Sequence, residues 1–437
     1  SANWLGAALL ALLIWDPRQV GDVGFQLSFL VVAGLMIFAS PIHQKLGEWG
    51  RPDRWIPLRL VAPWRKAGEK VWLALVTLVA ASSAAWLGSL LPAIFLFHQV
   101  TSVALAANVV AAPLAGAVTV LAAVSSVVAP FASIGAIGIN LLNARLVHLL
   151  AGAMGWMATW PGGHFAVADP RVWFERGPAV EMMAVEGAVP TLVRGDGGKW
   201  LIETGSKSGW ANVVRPFLHF YGVNDLEGVI LTAGLAPRSG SAQELLEGVR
   251  VGWWGESGLG GRSPLLKKWR EELAVQKKGR RFLRSGDRLK LGQDWQVEVL
   301  WPPEGEGVGR GEEDGVVLRL QCGEARLLWA GSIPGDVEMK LVEKYGEELR
   351  SGVLVEGPAK SLNLTQEWLR AVRPSYLIRS WKALEDDPSL SVDFDSLAQE
   401  LGITVVKLKH RGAVRLGVEA SSGEWAFRTW RKEAEKN

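Results

Sequence analysis

The chain has 437 residues, 49 % of them hydrophobic, with 47 Lys/Arg against 44 Asp/Glu and a net charge of +3. That length suits two or three domains, and so slight a basic balance is no argument for nucleic acid. A single cysteine, Cys322, excludes an internal disulfide. Its apolar alternating surroundings (VVLRLQCGEARLLWAG) mark it as a buried small hydrophobe.

The charges are unevenly spread. Residues 1–169 hold nine Lys/Arg and six Asp/Glu, leaving 38 of each for residues 170–437. The first part reads as a membrane domain and the second as water-soluble. The chain starts at Ser1 without Met and shows no signal peptide with a cleavage site. It reads as the interior of a longer protein, cut at its N-terminus.

Ala2–Trp15 is apolar but short, and 16–22 is a polar turn with Pro17. The stretch from Asp22 to Ile42 carries no charge between Val23 and Ala39, and about 20 such residues cross the ~30 Å hydrocarbon layer. Asp22, Gln26 and Ser28 cluster at its start, so Gln26 is expected to face other helices rather than lipid. Gly24 and Ser28 form a small-xxx-small pair, and Phe25 and Phe29 share a face. Residues 43–70 are basic, with Lys45, Arg51, Arg54, Arg59, Arg65, Lys66 and Lys70 interleaved with Trp49, Trp55 and Trp64. A cytoplasmic headgroup anchor is favoured there over a nucleic-acid contact.

Val71–Leu91 is the next span, followed by a turn over residues 92–101. Ser102–Val128 is a further span, in which Ala104, Asn108, Ala112 and Gly116 recur every four residues beside Pro113. Such a face packs against a helix or lines a wet path, and packing is favoured. Phe131–Trp160 is apolar but holds Asn140, Asn143, Arg145 and His148. It either spans, which places residues 165–437 outside the cytoplasm, or lies along the interface, which places them inside.

The soluble half opens after a linker over residues 166–178. Short strands are expected at 180–185, 191–194, 199–203, 228–232, 249–254, 288–291 and 295–300, with a hairpin at 316–320 and 325–329. Helices are expected at 212–221, 241–247, 264–277 and 336–345. The alternation then continues through 353–355, 365–372, 376–378, 392–401 and 403–407.

DVGFQLSF (residues 22–29), the basic loop and ANVVAAP (residues 107–113) resemble the competence domain of the ComEC family. Those are inner-membrane proteins that carry single-stranded DNA into naturally competent bacteria. The resemblance implies a truncated competence-type transmembrane domain over 1–165, followed over 179–437 by an α/β soluble domain of metallo-β-lactamase-like αββα fold. It also implies a multi-pass protein of the bacterial inner membrane, with the soluble domain taken as extracytoplasmic. Single-stranded DNA, the lipid bilayer and other competence proteins are the partners implied, and a homo-oligomer stays open.

The resemblance also shows what is missing. A metallo-hydrolase needs His and carboxylate ligands on loops at strand ends. Where the family's first ligand loop reads Thr-His-Pro-Asp-x-Asp-His, this chain has Ala233, Leu235, Pro237 and Arg238 at the ligand positions. Where a Thr-Gly-Asp is expected it has Gly331-Ser332, and where His-His-Gly-Ser is expected it has Gly357-Pro358-Ala359-Lys360. The scaffold around them survives, as Leu201-Ile-Glu-Thr-Gly205 and Glu367-Trp-Leu-Arg-Ala-Val-Arg-Pro374. The expectation is a retained fold with lost chemistry: no metal, no cofactor and no catalytic residue.

Other chemistry is poorly supported. The six histidines make no ligand pair at helical or strand spacing, and no phosphate loop follows Gly258–Gly261. Residues 262–290 hold eleven Lys/Arg against three acidic residues. Lys267, Lys268, Arg270, Lys277, Lys278, Arg280 and Arg281 are therefore DNA-contact candidates, with Trp269 and Phe282 available to stack on bases. A solvated basic face is the favoured alternative. Three functions remain: a DNA-uptake channel component with an inactive hydrolase domain, a metal-dependent nuclease or hydrolase on a membrane anchor, and a degenerate membrane protein without a transport role.

Overall fold

The computed structural model describes residues 2–50, 62–160, 162–175, 177–257, 264–276, 279–304, 315–331, 333–357, 364–380, 396–419 and 424–429. The readings at Arg51, Arg54, Trp55, Arg59, Lys277, Lys278, Ser332 and Pro358 lie outside these residues. Two compact units emerge: Ser1–Asp169 together with His219–Gly222, and the remainder from Pro170 onward.

The first unit is helical: α1 Ala2–Trp15, α2 Val23–Gly47, α3 Pro63–Phe97, α4 Ala104–Val128 and α5 Ser133–Ala158. By length and composition α2, residues 64–97 of α3, α4 and α5 are each able to cross a membrane. Their surfaces expose Leu30, Ile37, Val120, Val127, Ile134 and Leu141, as a lipid-facing helix does and a water-soluble bundle does not. Residues 131–160, which the sequence left between spanning and lying flat, hold a single 26-residue helix long enough to span.

Three boundaries differ from the sequence reading, all at prolines; the first is the start of α3, at Pro63 rather than Val71. Helix α2 runs through Pro41 to Gly47, and Gln44 Nε2 donates to Ser40 Oγ at 3.3 Å across that turn. Helix α3 runs through Pro92 to Phe97, so residues 92–97 are helix and not a turn. A proline removes one ladder bond, which long apolar helices tolerate. The true stop is His98, left-handed at φ 52, whose ring Nδ1 lies 3.0 Å from Ile94 O. Strands β1 (Gln99–Val100) and β2 (Phe165–Ala166) then pair antiparallel.

Helices α2 and α3 meet at glycine. A Cβ on Gly88 would lie 2.5 Å from Leu30 O, and one on Gly34 2.6 Å from Gly88 Cα. Val76, Ala80 and Ala84 continue this buried face of α3. Helices α4 and α5 form a second pair, in which Ser125 Oγ donates to Ala136 O at 3.3 Å.

The second unit carries two sheets. Strands β3 Ala179–Met182, β4 Thr191–Gly195, β5 Gly198–Ile202, β6 Asp225–Leu231, β7 Arg250–Ser257 and β8 Gly279–Leu283 belong to the first. Strands β9 Arg288–Leu291, β10 Trp295–Trp301, β11 Val317–Cys322, β12 Ala325–Gly331, β13 Val353–Glu356, β14 Tyr376–Arg379 and β15 Thr404–Lys407 form the second. Strands β16 Val414–Val418 and β17 Trp425–Thr429 return to the first. Among the described residues the orders are β17-β16-β3-β4-β5-β6-β7-β8 and β15-β14-β13-β12-β11-β10-β9.

Strand alternation builds the layers. Val180, Met182, Val193 and Trp200 of one sheet pack against Val297, Val299, Leu318, Leu320 and Trp329 of the other. The intervening residues Val317, Leu328, Leu354 and Leu377 turn outward under helices Gly335–Tyr345 and Gln366–Val372. On the far side Trp254 of β7 packs edge-on to Trp269 of helix Pro264–Val275, with ring centroids 5.2 Å apart. The result is the αββα sandwich that the sequence pointed to.

Three local readings change. The helix expected at 212–221 starts at Lys207 and contains a π turn, Trp210–Val214. Residues 366–372, given no type by the sequence, are helix, with Trp368, Leu369 and Val372 on its buried face. Strands β8, β16 and β17 are additional.

Candidate functional site

The strand ends gather at one edge of the sandwich. Strand β5 ends into Glu203 and β6 into Thr232, whose carbonyl accepts from Val316 N at 2.8 Å just before β11. Strand β12 runs antiparallel to β11, so its end at Gly331 comes to the same edge. Gly357 N donates to Gly331 O at 2.7 Å and Ser380 N to Glu356 O at 3.3 Å, which adds the ends of β13 and β14.

Glu203 sits at the centre of the first sheet's share. It is 1 % exposed and holds a left-handed backbone at φ 61. Its Oε2 accepts from Val189 N at 2.8 Å and its Oε1 from Thr232 Oγ1 at 2.7 Å. The Arg238 guanidinium, also 1 % exposed, places Nε 3.7 Å from the same Oε1. Burial pushes the Glu203 carboxyl above the usual carboxylate range, while Arg238, Thr232 and Val189 pull it back. The loop carrying Arg238 is stapled down. Its carbonyl accepts from Thr204 N at 2.9 Å and Gly205 N at 2.8 Å, Ser241 Oγ donates to Thr204 O at 2.8 Å, and Ser239 Oγ donates to Ala233 O at 2.7 Å.

The fold calls for a metal here, and the residues present do not fit one. Ala233, Leu235 and Pro237 offer methyl, isobutyl and pyrrolidine groups, and a guanidinium is always protonated and never an acceptor. Gly357 offers no side-chain donor, and its N–H is spent on Gly331 O. Among the described residues no three His, Cys, Asp or Glu side chains gather to hold a cation. A fixed positive charge occupies the place where the ligand loop meets the buried carboxylate.

The second sheet contributes a further buried pair. Arg379 Nε donates to Glu356 Oε2 at 2.9 Å, and both side chains are buried. Glu338, in the first turn of helix Gly335–Tyr345, accepts on Oε2 from Thr365 N and Oγ1 at 3.0 and 3.1 Å. Burial pushes the Glu338 carboxyl up to about 8, with the Glu356 charge adding to the rise. Sequence reading missed Glu338, Glu356 and Arg379. A charged residue closing each of two apolar strands was the available signal for the last two, and an acidic first helical turn gives none for Glu338. Beside Pro237 a cavity of about 650 Å³ opens, lined by Val185, Gly187, Ser206, Lys207 and Asn212.

The membrane candidates do not converge. Asp22 caps α2, its Oδ1 accepting from Phe25 N at 2.8 Å. Gln26 does not reach another helix, because its Nε2 donates to Val20 O at 2.6 Å in the preceding turn. Phe25 and Phe29 do share a face, centroids 4.6 Å apart. Ser28, Asn108 and Pro113 are exposed, and nothing lies within 4 Å of a Cβ built on Gly116. The small face of α4 is therefore uncovered among the described residues, whereas packing was the favoured reading.

The basic patch divides in two. Arg270 grips the buried Glu256 with both Nε and Nη2, the latter at 2.7 Å, and Arg280 donates to the same carboxylate. Lys267 and Lys268 are exposed, and the Arg281 guanidinium lies 5.4 Å from the Trp253 ring centroid. Phe282 is 48 % exposed. Trp269, by contrast, is 1 % exposed beneath Trp254 and is not available to stack on a base. It occupies the buried face of its amphipathic helix.

Residues 1–177 match the family model described as Competence protein. The resemblance seen in the sequence thus holds over the helical unit and the first residues of the second unit. None of the curated proteins matches this chain. Solved structures similar to it include Zn(2+)-bound PqqB from Methylobacterium extorquens, at 11 % identity and TM-score 0.37, covering 52 % of this chain and 97 % of that one. Another is CmlA, a diiron beta-hydroxylase from Streptomyces venezuelae, at 13 % identity and TM-score 0.37, covering 60 % of this chain and 58 % of that one. A third is the Rm3 metallo-beta-lactamase, at 14 % identity and TM-score 0.30, covering 41 % and 75 %. The chain spans a little over half the length of CmlA.

Proposed function

We propose that this chain serves DNA uptake across the bacterial inner membrane, and that its sandwich handles single-stranded DNA without metal-dependent cleavage. The seating of Arg238 carries the second half of the reading: a buried guanidinium against Glu203 repels a cation where a hydrolase of this fold would hold one. The competence-family match over residues 1–177 and the four helices able to span support the first half. Three crossings counted from the basic residues before and within the start of α3 support an extracytoplasmic sandwich in this reading. Other competence proteins, and a second copy of the chain, are the partners in this reading. Lys267, Lys268 and Arg281 are the DNA contacts on the patch, while Arg270 and Arg280 hold Glu256.

The test uses the full chain in detergent, equilibrated with zinc and then manganese and freed of excess. The expected content is well below one metal per chain, with labelled single-stranded DNA left intact. Metal at or above one per chain, or cleavage abolished by a chelator, overturns the reading. Deleting the gene and scoring transformation separates a transport role from none.

A further inference from the structure

A second cleft, of about 710 Å³, lies at the opposite ends of the strands, where β12, β13 and β14 begin. Three arginines from separate elements line it. Arg326 is the second residue of β12, Arg350 follows the short turn Gly346–Leu349, and Arg373 ends helix Gln366–Val372 in a left-handed conformation at φ 48. Two acidic residues, Glu324 and Glu424, share the lining, leaving the cleft net positive by one charge.

The arginines are loosely committed. Arg373 Nη2 is 3.2 Å from Glu347 Oε1, an exposed pair that contributes little. Among the described residues the side chains of Arg326 and Arg350 have no carboxylate partner. The floor is Trp425, whose ring reaches the strand start because residue 352 is glycine; a Cβ there would sit 3.2 Å from Trp425 Cδ1. The indole Nε1 is buried and, among the described residues, has no acceptor.

The aromatic faces are already used. Trp425 stacks on Trp295 at 6.2 Å, and Tyr376 lies parallel to Phe427 at 5.1 Å. The cleft therefore has charge to offer a ligand but no open ring on which to stack a base. Guanidinium forks recognise carboxylate and phosphate alike. Arginines from three separate elements around one cleft favour a tetrahedral oxyanion, which presents oxygens on every side, over a planar carboxylate, which presents one edge. We propose that this cleft is a phosphate-binding site, reading the phosphate groups of its ligand and not the moiety that bears them. The proposal stands independently of the uptake role and of the Arg238 edge.

The experiment titrates pyrophosphate, citrate and an oligothymidylate onto the full chain in detergent at low salt. Pyrophosphate is expected to bind, more weakly as salt rises, and more tightly than citrate. Arg326→Gln and Arg350→Gln are each expected to weaken it about tenfold, the worth of one charge-assisted hydrogen bond. Arg326→Lys restores part of the loss, and Lys267→Gln, on the other patch, leaves pyrophosphate unaffected. An oligothymidylate that loses affinity in the same variants identifies a nucleic-acid backbone as the phosphate source. One that does not, while pyrophosphate does, identifies small phosphates. The proposal is overturned by pyrophosphate binding that is absent, equal to that of citrate, or unchanged in the Arg326→Gln/Arg350→Gln double variant.

Discussion

Replacing Arg238 by methionine keeps volume and removes the charge that faces Glu203. Both side chains are 1 % exposed, so water cannot enter to replace the guanidinium without opening the turn. Removing one partner of a buried pair costs about 3–5 kcal/mol. The 3.7 Å separation of Nε and Oε1, and the two hydrogen bonds from Thr232 and Val189 that remain, put this case at the lower end, about 3 kcal/mol near pH 8. Glu203 has a second way out, which is to take up a proton. Its folded pKa is already raised above the unfolded 4.5 and rises further without Arg238. The variant's carboxyl therefore holds its proton more strongly when folded than when unfolded, so its stability falls as pH climbs above 4.5. Pulse proteolysis of the full chain in urea should show a small loss near pH 5 and the full loss near pH 8. Glu203→Gln combined with Arg238→Met should recover most of it. A loss below about 1 kcal/mol at pH 8, or an equal loss at both pH values, refutes the idea that Arg238 is the internal counter-ion of this edge.

Glu338 titrates in the same direction. It holds its proton to about pH 8 when folded and to 4.5 when unfolded, so the folded chain binds the extra proton between those values and loses stability as pH rises. Glu338→Gln keeps the oxygen that accepts from Thr365 and should flatten that decline, read as urea midpoints from pH 5 to 9. Gly88→Val should disrupt the α2–α3 crossing, since a Cβ there meets Leu30 O at 2.5 Å, whereas Gly116→Ala meets nothing; size-exclusion profiles in detergent would show aggregation of the first variant only. Lys267→Gln with Lys268→Gln should lower the salt dependence of DNA binding by up to about one unit of log–log slope for each phosphate no longer neutralised, without altering stability. Arg270→Met should do the reverse, destabilising the fold by stripping Glu256 of a partner while adding little to the change in slope.

How much of this the residues announced depends on which physical effect was at work. Hydrophobic run length made α2, α4 and α5 legible, because lipid selects for length and apolarity and little else. The contact between α2 and α3 was not. Gly24 and Ser28 carry the small-xxx-small spacing, yet the helices cross at Gly34 and Gly88. Ala80, Ala84 and Gly88 have the same spacing in α3 and were passed over, since spacing alone does not say which face meets a neighbour. Helix ends were misplaced at Pro41 and Pro92 for a similar reason: a lost backbone bond stops a helix only when nothing continues the ladder beyond it. In the sandwich, alternation placed β4, β5, β10, β11 and β12 to within a residue or two and began β6 three residues late. It failed for β8, where Arg280 and Arg281 hide the pattern on an edge strand, for β16, which pairs with β3 from over 200 residues away, and for β17, which pairs with β16.

At the strand-end edge, the sequence showed which groups were missing but not what had taken their place. That Ala233, Leu235 and Pro237 carry no donor side chain is easily read. Keeping the fold is a separate electrostatic problem, because Glu203 remains buried at the head of a turn that needs its two hydrogen bonds to Val189 and Thr232. An ionised carboxylate in that position without a cation nearby is costly. Arg238, at the position of a ligand, supplies the cation from within the chain, and its own carbonyl ties the loop to Thr204 and Gly205. Glu356 and Arg379 repeat the arrangement on the second sheet. The edge is thus held by internal ion pairs.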